Sequence, residues 1–201
     1  MCNLYDVGPS PRELRFPWEE CLLGLVRDLT YVAPGGEGLV LLKEEGEWMG
    51  KTMRWGFARP WSEVINNARV EKLSHEMWKE SWERRRCVVP FRCFYEWSGI
   101  RGSKQKHRVE EGAPERWSWM VGIWEHHPKL GSCYSVVTTP ASPFMAPLHD
   151  RMPALLASED VEALLEDSAT KPAPFGGELR IDPPMGMGNG GGAATDQLEL
   201  F

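Results

Sequence analysis

Arg86-Cys87-Val88-Val89-Pro90-Phe91-Arg92-Cys93-Phe94-Tyr95-Glu96-Trp97 is the stretch that decides how this 201-residue chain is built. Its branched and aromatic side chains read as β-structure over residues 87–97. Two more β-rich runs follow at 117–124 and 132–139. An apolar strand at 38–43 precedes them, entered through the turn Pro34-Gly35-Gly36. The polar, basic segment 99–112 reads as a hairpin loop. Helical patterns lie outside this block. One covers 12–25 with an interruption at Pro17, and one covers 67–86, where charged and aromatic residues alternate at roughly helical spacing. The third covers 158–165, with Ser158 as N-cap and Glu159 and Asp160 in the first turn, where they favour the helix dipole. Strands in the middle and helices on the flanks predict an α+β domain with a mainly antiparallel sheet.

The length suits one domain, expected over residues 2–175. Beyond it the pattern collapses. Residues 186–192 hold five glycines among seven, too little apolar surface to offset chain entropy, so 176–201 reads as a flexible tether. No run of about 18 apolar residues and no basic-then-apolar leader is present, which points to a cytoplasmic protein with no membrane partner. Five cysteines without Cys-x-x-Cys spacing argue against a disulfide framework and a zinc cluster. Cys21, Cys87, Cys93 and Cys133 read as small core residues. His75, His107, His126 and His127 read as surface residues. No metal or organic cofactor is implied, and a monomer is expected.

The net charge of −6 conceals a division along the chain. Residues 1–156 carry 21 basic and 20 acidic side chains, and residues 157–201 carry 2 and 9. Within residues 51–108 there are 14 basic and 6 acidic side chains, among them Arg84 and Arg85, interleaved with Trp55, Trp61, Trp78, Trp82, Phe94, Tyr95 and Trp97. Cations that track phosphates and rings that stack on unpaired bases are what a single nucleic-acid strand needs. A charged face over a Trp-rich core would give the same composition.

Cys2 follows the initiator Met. Once Met1 is trimmed, Cys2 carries an α-amine of pKa about 7.7 to 8.0 beside a thiol of about 8.5. Such a pair is suited to carbonyl chemistry: the amine condenses with an aldehyde, and the thiol closes on the imine to give a thiazolidine.

Four segments accompany Cys2: Met53-Arg54-Trp55-Gly56-Phe57, Asn66-Asn67-Ala68-Arg69-Val70-Glu71, the 86–97 stretch, and His149-Asp150-Arg151-Met152-Pro153. In this order, after a Met-Cys start, they resemble the SRAP family of SOS-response-associated peptidase-like proteins, over roughly residues 2–165. The resemblance implies a barrel-like sheet, a groove for single-stranded DNA and covalent capture of abasic sites by the N-terminal Cys. It implies Cys2 as nucleophile, Asn67 as the residue positioning it, and Glu96 and His149 as active-site groups. Arg54, Trp55, Arg69, Arg84, Arg85 and Arg151 form the expected DNA-binding set, with Arg54 and Trp55 in the segment that contacts and wedges the strand. The usual start is Met-Cys-Gly-Arg, whereas this chain has Asn3 and Leu4, so a phosphate-binding Arg is missing.

The chemistry asks for such residues in its own right. An abasic site is mostly a closed hemiacetal, so ring opening needs an acid, for which His149 is suited. Imine formation needs a carboxyl that takes and returns protons, for which Glu96 among Phe94, Tyr95 and Trp97 is suited. Asn67 can orient an amine without neutralising it. The terminal Gln197-Leu198-Glu199-Leu200-Phe201 resembles the peptide that binds the bacterial β sliding clamp, with Gln197, Leu198, Leu200 and Phe201 as its contacts. The leading expectation is thus an abasic-site sensor of single-stranded DNA, associated with the nucleoid, with strand cleavage of the lyase type left open. A Cys2-dependent (auto)peptidase and a non-catalytic single-strand-binding module are the alternatives.

Overall fold

The computed structural model describes residues 2–26, 31–100, 103–112, 116–167, 172 and 175–183. Within them the chain runs β1 (Tyr5–Asp6), a 3-10 turn (Pro17–Glu19), α1 (Glu20–Leu23), β2 (Tyr31–Val32), β3 (Glu37–Glu44) and β4 (Glu47–Trp55). It continues through β5 (Phe57–Arg59), β6 (Ser62–Ile65), β7 (Asn67–Arg69), α2 (Glu76–Arg84), β8 (Arg86–Phe91) and β9 (Cys93–Ser98). The rest comprises β10 (Gln105–Glu111), β11 (Ser118–His127), β12 (Gly131–Pro140), β13 (Arg151–Pro153), β14 (Leu155–Leu156), α3 (Val161–Glu166) and β15 (Leu179–Ile181). The expected α+β class, mostly strand with few helices, is what forms.

The larger sheet closes on itself. β12 pairs with β4, β4 with β3, β3 with β8, β8 with β11, and β11 returns to β12, a five-stranded ring. Closure removes the exposed edges of these strands. It depends on a parallel pairing of β12 with β4, an exception within a mainly antiparallel sheet. β8 is buried along its whole length and meets β3 at Leu41 and Val88. Pro90, which has no N–H to donate, lies beyond that meeting point. The smaller sheet is antiparallel, in the order β15-β10-β9-β1-β2, and carries the N-terminal segment between β9 and β2.

Buried aromatics fill the ring. Trp55 stacks on Tyr134, with centroids 6.3 Å apart, and meets Tyr5 edge-on at 5.1 Å. The Tyr5 and Tyr134 hydroxyls meet at 2.5 Å beside Gly38, where a Cβ would run into both. Gly56, at φ +122°, turns the chain from β4 into β5. Pro17 is the first residue of its turn, where the missing N–H costs no bond, and it delivers Trp18 onto Trp119 at 5.1 Å.

Several local expectations change. The first helical segment begins at Pro17 rather than residue 12. Asn67–Arg69 is a strand because β12 offers it a parallel ladder, Val136 to Asn67 through Thr138 to Arg69, and the helix starts only at Glu76. The 87–97 run is two strands, broken at Arg92. Gln105–Glu111, read as loop, pairs with β9. Ser158 does not cap a helix; its Oγ accepts from Trp119 Nε1 at 3.2 Å. The domain also extends past residue 175, since β15 pairs with β10 and joins Arg180 to Glu110 and Arg108 to Asp182. His107 is buried, 2.7 Å from Ser98 Oγ, rather than on the surface.

Burial keeps the Cys2 and Cys87 thiols and the Tyr5 and Tyr134 phenols neutral, pushing all four above their ordinary values of 9.0 and 10.0. The folded state thus retains protons that the unfolded chain releases above pH 9. The stability these groups contribute is complete below that pH and is lost as pH rises, at about 1.4 kcal/mol per pH unit for each thiol. The unfolding midpoint, followed by circular dichroism, is expected to hold to about pH 8.5 and then fall. Cys87→Ala is expected to make that fall shallower by one thiol's share. A midpoint that stays flat to about pH 11 would contradict this burial.

Candidate active site around Cys2

Cys2 is fully buried just ahead of β1. Its Sγ donates to Leu4 O at 3.7 Å, and Leu4 O also accepts Tyr95 N, which ties the segment to β9. The Cys2 carbonyl accepts two side-chain amides, Asn67 Nδ2 at 3.1 Å and Asn66 Nδ2 at 3.2 Å. Asn67 is held by the parallel register of β7 on β12. Its Oδ1 is buried and has no hydrogen-bond partner among the described residues. A buried acceptor left in this state costs free energy unless a ligand or a new donor supplies a proton.

Glu96 lies on β9 and is 2% exposed. Burial first, and the Glu96 carboxylate second, push the Cys2 thiol well above its ordinary 9.0. The thiol is therefore held as S–H, within the field of the Glu96 side chain. The structure thus brings Cys2, Asn67 and Glu96 together.

His149 stands one step away. It precedes β13, whose register places Arg151 opposite Pro140, four residues along β12 from the row of Asn67. Its Nδ1 lies 2.9 Å from Arg151 N and 2.8 Å from Asp150 Oδ1. The two contacts require opposite states: the Arg151 amide needs the lone pair on Nδ1, and the Asp150 carboxylate needs a proton there. With the ring neutral and the amide bound, the proton sits on Nε2 and is available to donate.

The expected DNA-binding residues divide. Arg69 is exposed on the strand that carries Asn67, as a phosphate contact requires. Arg54 is half-buried and donates to Gly56 O at 2.7 Å and Glu63 O at 3.3 Å. Trp55, expected as a wedge, is fully buried, and its Nε1 donates to Asn66 O at 3.0 Å. It braces the site from behind. Arg151, also expected on DNA, is 7% exposed and forks onto Glu71 at 2.9 and 3.1 Å while donating to Thr138 O at 2.7 Å. The ladder between β13 and β12 turns it inward. Arg84 and Arg85 line a cleft with Lys43, Glu47 and Trp124, at the opposite end of β4 from Trp55, about 26 Å along the strand. Of the rings in the basic segment, Trp55, Trp78, Trp82, Phe94 and Tyr95 are buried, and Trp61 is 73% exposed. Asn66 was missed as a site residue, although it stands first in the Asn-Asn doublet that supplied Asn67.

A family model described as SOS response associated peptidase (SRAP) matches residues 1–180. The chain belongs to the SRAP family. It is 28% identical over 155 residues to abasic site processing protein YoaM of Bacillus subtilis (strain 168), covering 70% of this chain and 67% of that one. It is 30% identical over 142 residues to abasic site processing protein HMCES of Gallus gallus, covering 54% and 42%. A Bordetella bronchiseptica protein solved by X-ray crystallography shares the fold at a TM-score of 0.70 and 18% identity, covering 90% of this chain and 98% of that one. A second, from Bacteroides thetaiotaomicron, matches at 0.62 and 18%, covering 82% and 81%. In this SRAP chain no helix among the described residues is long and apolar enough to cross a membrane.

Proposed function

We propose that this SRAP protein processes abasic sites in single-stranded DNA by capturing them on Cys2 after loss of Met1. The observation that carries this reading is the Asn67 side chain. Its Nδ2 holds the Cys2 carbonyl and its Oδ1 is buried without a partner among the described residues, an acceptor that the α-amine of Cys2 would satisfy once that amine is freed. The names of the related proteins, which specify abasic site processing, support the substrate class.

His149 donates from Nε2 to the ring oxygen O4′ as the C1′–O4′ bond breaks, and the proton given up by the C1′ hydroxyl returns to the imidazole by way of solvent, which leaves the C1′ aldehyde. The Cys2 amine adds to that carbon, Glu96 carries its two protons in turn to the oxygen, and water departs to leave an imine. The thiol then adds to the imine carbon, its proton passing through Glu96 to the nitrogen. One C–N and one C–S bond form, and one water is lost in all. Arg69 and Arg54 hold the flanking phosphates.

Two amide donors on the Cys2 carbonyl polarise the Cys2–Asn3 bond rather than the bond that joins Met1, an arrangement that favours trimming of Met1 by a separate aminopeptidase. Mixing Met1-free protein with an oligonucleotide bearing one abasic site and separating the products on a denaturing gel tests the reading. A shifted band that requires the lesion is expected, and no band would overturn it.

Gln197, Leu198, Leu200 and Phe201 lie outside the described residues. The proposal for them is that the terminal peptide docks on a bacterial β sliding clamp, bringing the protein to replicating, nucleoid-associated DNA. Deleting Leu200 and Phe201 is expected to abolish clamp binding in a pull-down, and undiminished binding would refute it.

A further inference from the structure

The Cys2 carbonyl is held by two amides, and one of them has no role in the chemistry. An amide nitrogen carries two protons. Those of Asn66 go to consecutive residues, one to Cys2 O at 3.2 Å and one to Asn3 Oδ1 at 3.1 Å. The backbone of Asn66 is fixed in turn by the closed ring, for its carbonyl accepts Trp55 Nε1 and Val136 N, both at 3.0 Å. Trp55 is fully buried and Val136 is a core residue of β12, so Asn66 links the rigid barrel to the N-terminal segment, in which Cys2 is buried and Asn3 exposed.

Asn67 alone would not fix Cys2. A single donor to a carbonyl leaves the acceptor free to swing about that contact, and on the capture reading Asn67 must also leave its buried Oδ1 to the amine. A second donor, on a different backbone position, removes the swing. Asn3 gives the clamp a second hold, so the side chain that departs from the usual Gly at this position acquires a partner.

We propose that Asn66 is a positioning residue for Cys2, fixing the main chain of residues 2 and 3 so that Asn67 Oδ1 is left to the amine, with Asn3 as its anchor. This rests on the capture reading above.

The test follows adduct formation on the abasic oligonucleotide by the wild type, Asn66→Leu, Asn66→Asp and Asn3→Ala, all freed of Met1. Leu matches Asn in size without donors, and Asp matches it in shape with acceptors only. At saturating strand the rate is expected to fall about 10- to 100-fold in both Asn66 variants, the loss typical of a reacting group displaced by about 1 Å. Asn3→Ala is expected to lose about fivefold, the worth of one hydrogen bond. The strand concentration at half-saturation and the salt dependence are expected to stay unchanged. A purely structural role would lower the fraction of active protein, read from the final adduct yield, and not the rate constant of that fraction. Rates within twofold of wild type would overturn the inference, as would a half-saturation that rises at constant maximal rate. Should Asn66→Leu fail to fold, Asn3→Ala, altered at an exposed position, decides alone. Failure of the wild type to form an adduct overturns the capture reading and the inference with it, whereas a wild-type adduct with unaffected variants overturns the inference alone.

Discussion

Cys2→Ala is expected to remove the denaturation-resistant adduct altogether while leaving salt-sensitive strand binding intact. Both nucleophiles of the capture reside on this residue, but they contribute differently. The amine makes an imine, which water reverses, and the thiol converts that imine into a ring that resists reversal. Cys2→Ala keeps a free amine after Met1 is trimmed and loses only the thiol. Its reaction with the lesion should therefore stop at the imine, visible on a gel only after borohydride reduction. On the reading proposed above, strand affinity comes from exposed cations such as Arg69, so it should fall with salt at a slope of about −0.7 per phosphate contacted, as in the wild type. A stable adduct formed by Cys2→Ala without reduction would place the chemistry on another residue.

Glu96→Gln is expected to slow capture by about 10² to 10⁴, the range for loss of a positioned proton carrier. The substitution keeps the size and polarity of a side chain that is 2% exposed, so the fold should survive it. What it removes is the capacity to take a proton from the thiol and to give one to the departing hydroxyl. Burial first and the Glu96 charge second push the Cys2 thiol up, and the same substitution should therefore lower the pH at which that thiol reacts with an alkylating probe. Stopped time courses on the abasic oligonucleotide read the rate. A value within a few-fold of wild type would remove Glu96 from the reaction and leave His149 to carry every proton.

The sequence located strands better than it located their partners. The branched and aromatic side chains of 87–97 mark β-structure whatever lies beside them, and a Cys-Phe-Tyr-Glu-Trp run places Glu96 on a strand. Ring closure depends on β12 running parallel to β4 and β7, segments more than 60 residues earlier, and no local pattern encodes such a meeting. For the same reason Asn67–Arg69 continued a helical spacing in sequence and became a strand in the fold. Leu179–Ile181 has too few apolar residues to announce itself, and its ion pairs to β10 supply the missing support.

The active-site motifs named Cys2, Asn67 and Glu96, and the fold sets Asn67 Nδ2 on the Cys2 carbonyl and the Glu96 charge where the Cys2 thiol feels it. They did not give direction. Trp55 and Arg151 lie in segments that resemble DNA-contacting ones, yet one is packed between Tyr5 and Tyr134 and the other is forked onto Glu71. A motif fixes residue type and spacing along the chain, whereas inward or outward orientation is set by the neighbouring strand. Asn66 escaped notice because a doublet of identical residues drew a single role.

Intact mass of the product tests covalent capture most directly. Met1-free protein incubated with a single-stranded abasic oligonucleotide is expected to yield one species whose mass equals protein plus oligonucleotide minus one water, unchanged by borohydride and confined by fragmentation to Cys2. A species that retains Met1, gains mass on reduction or maps to a lysine would contradict the account.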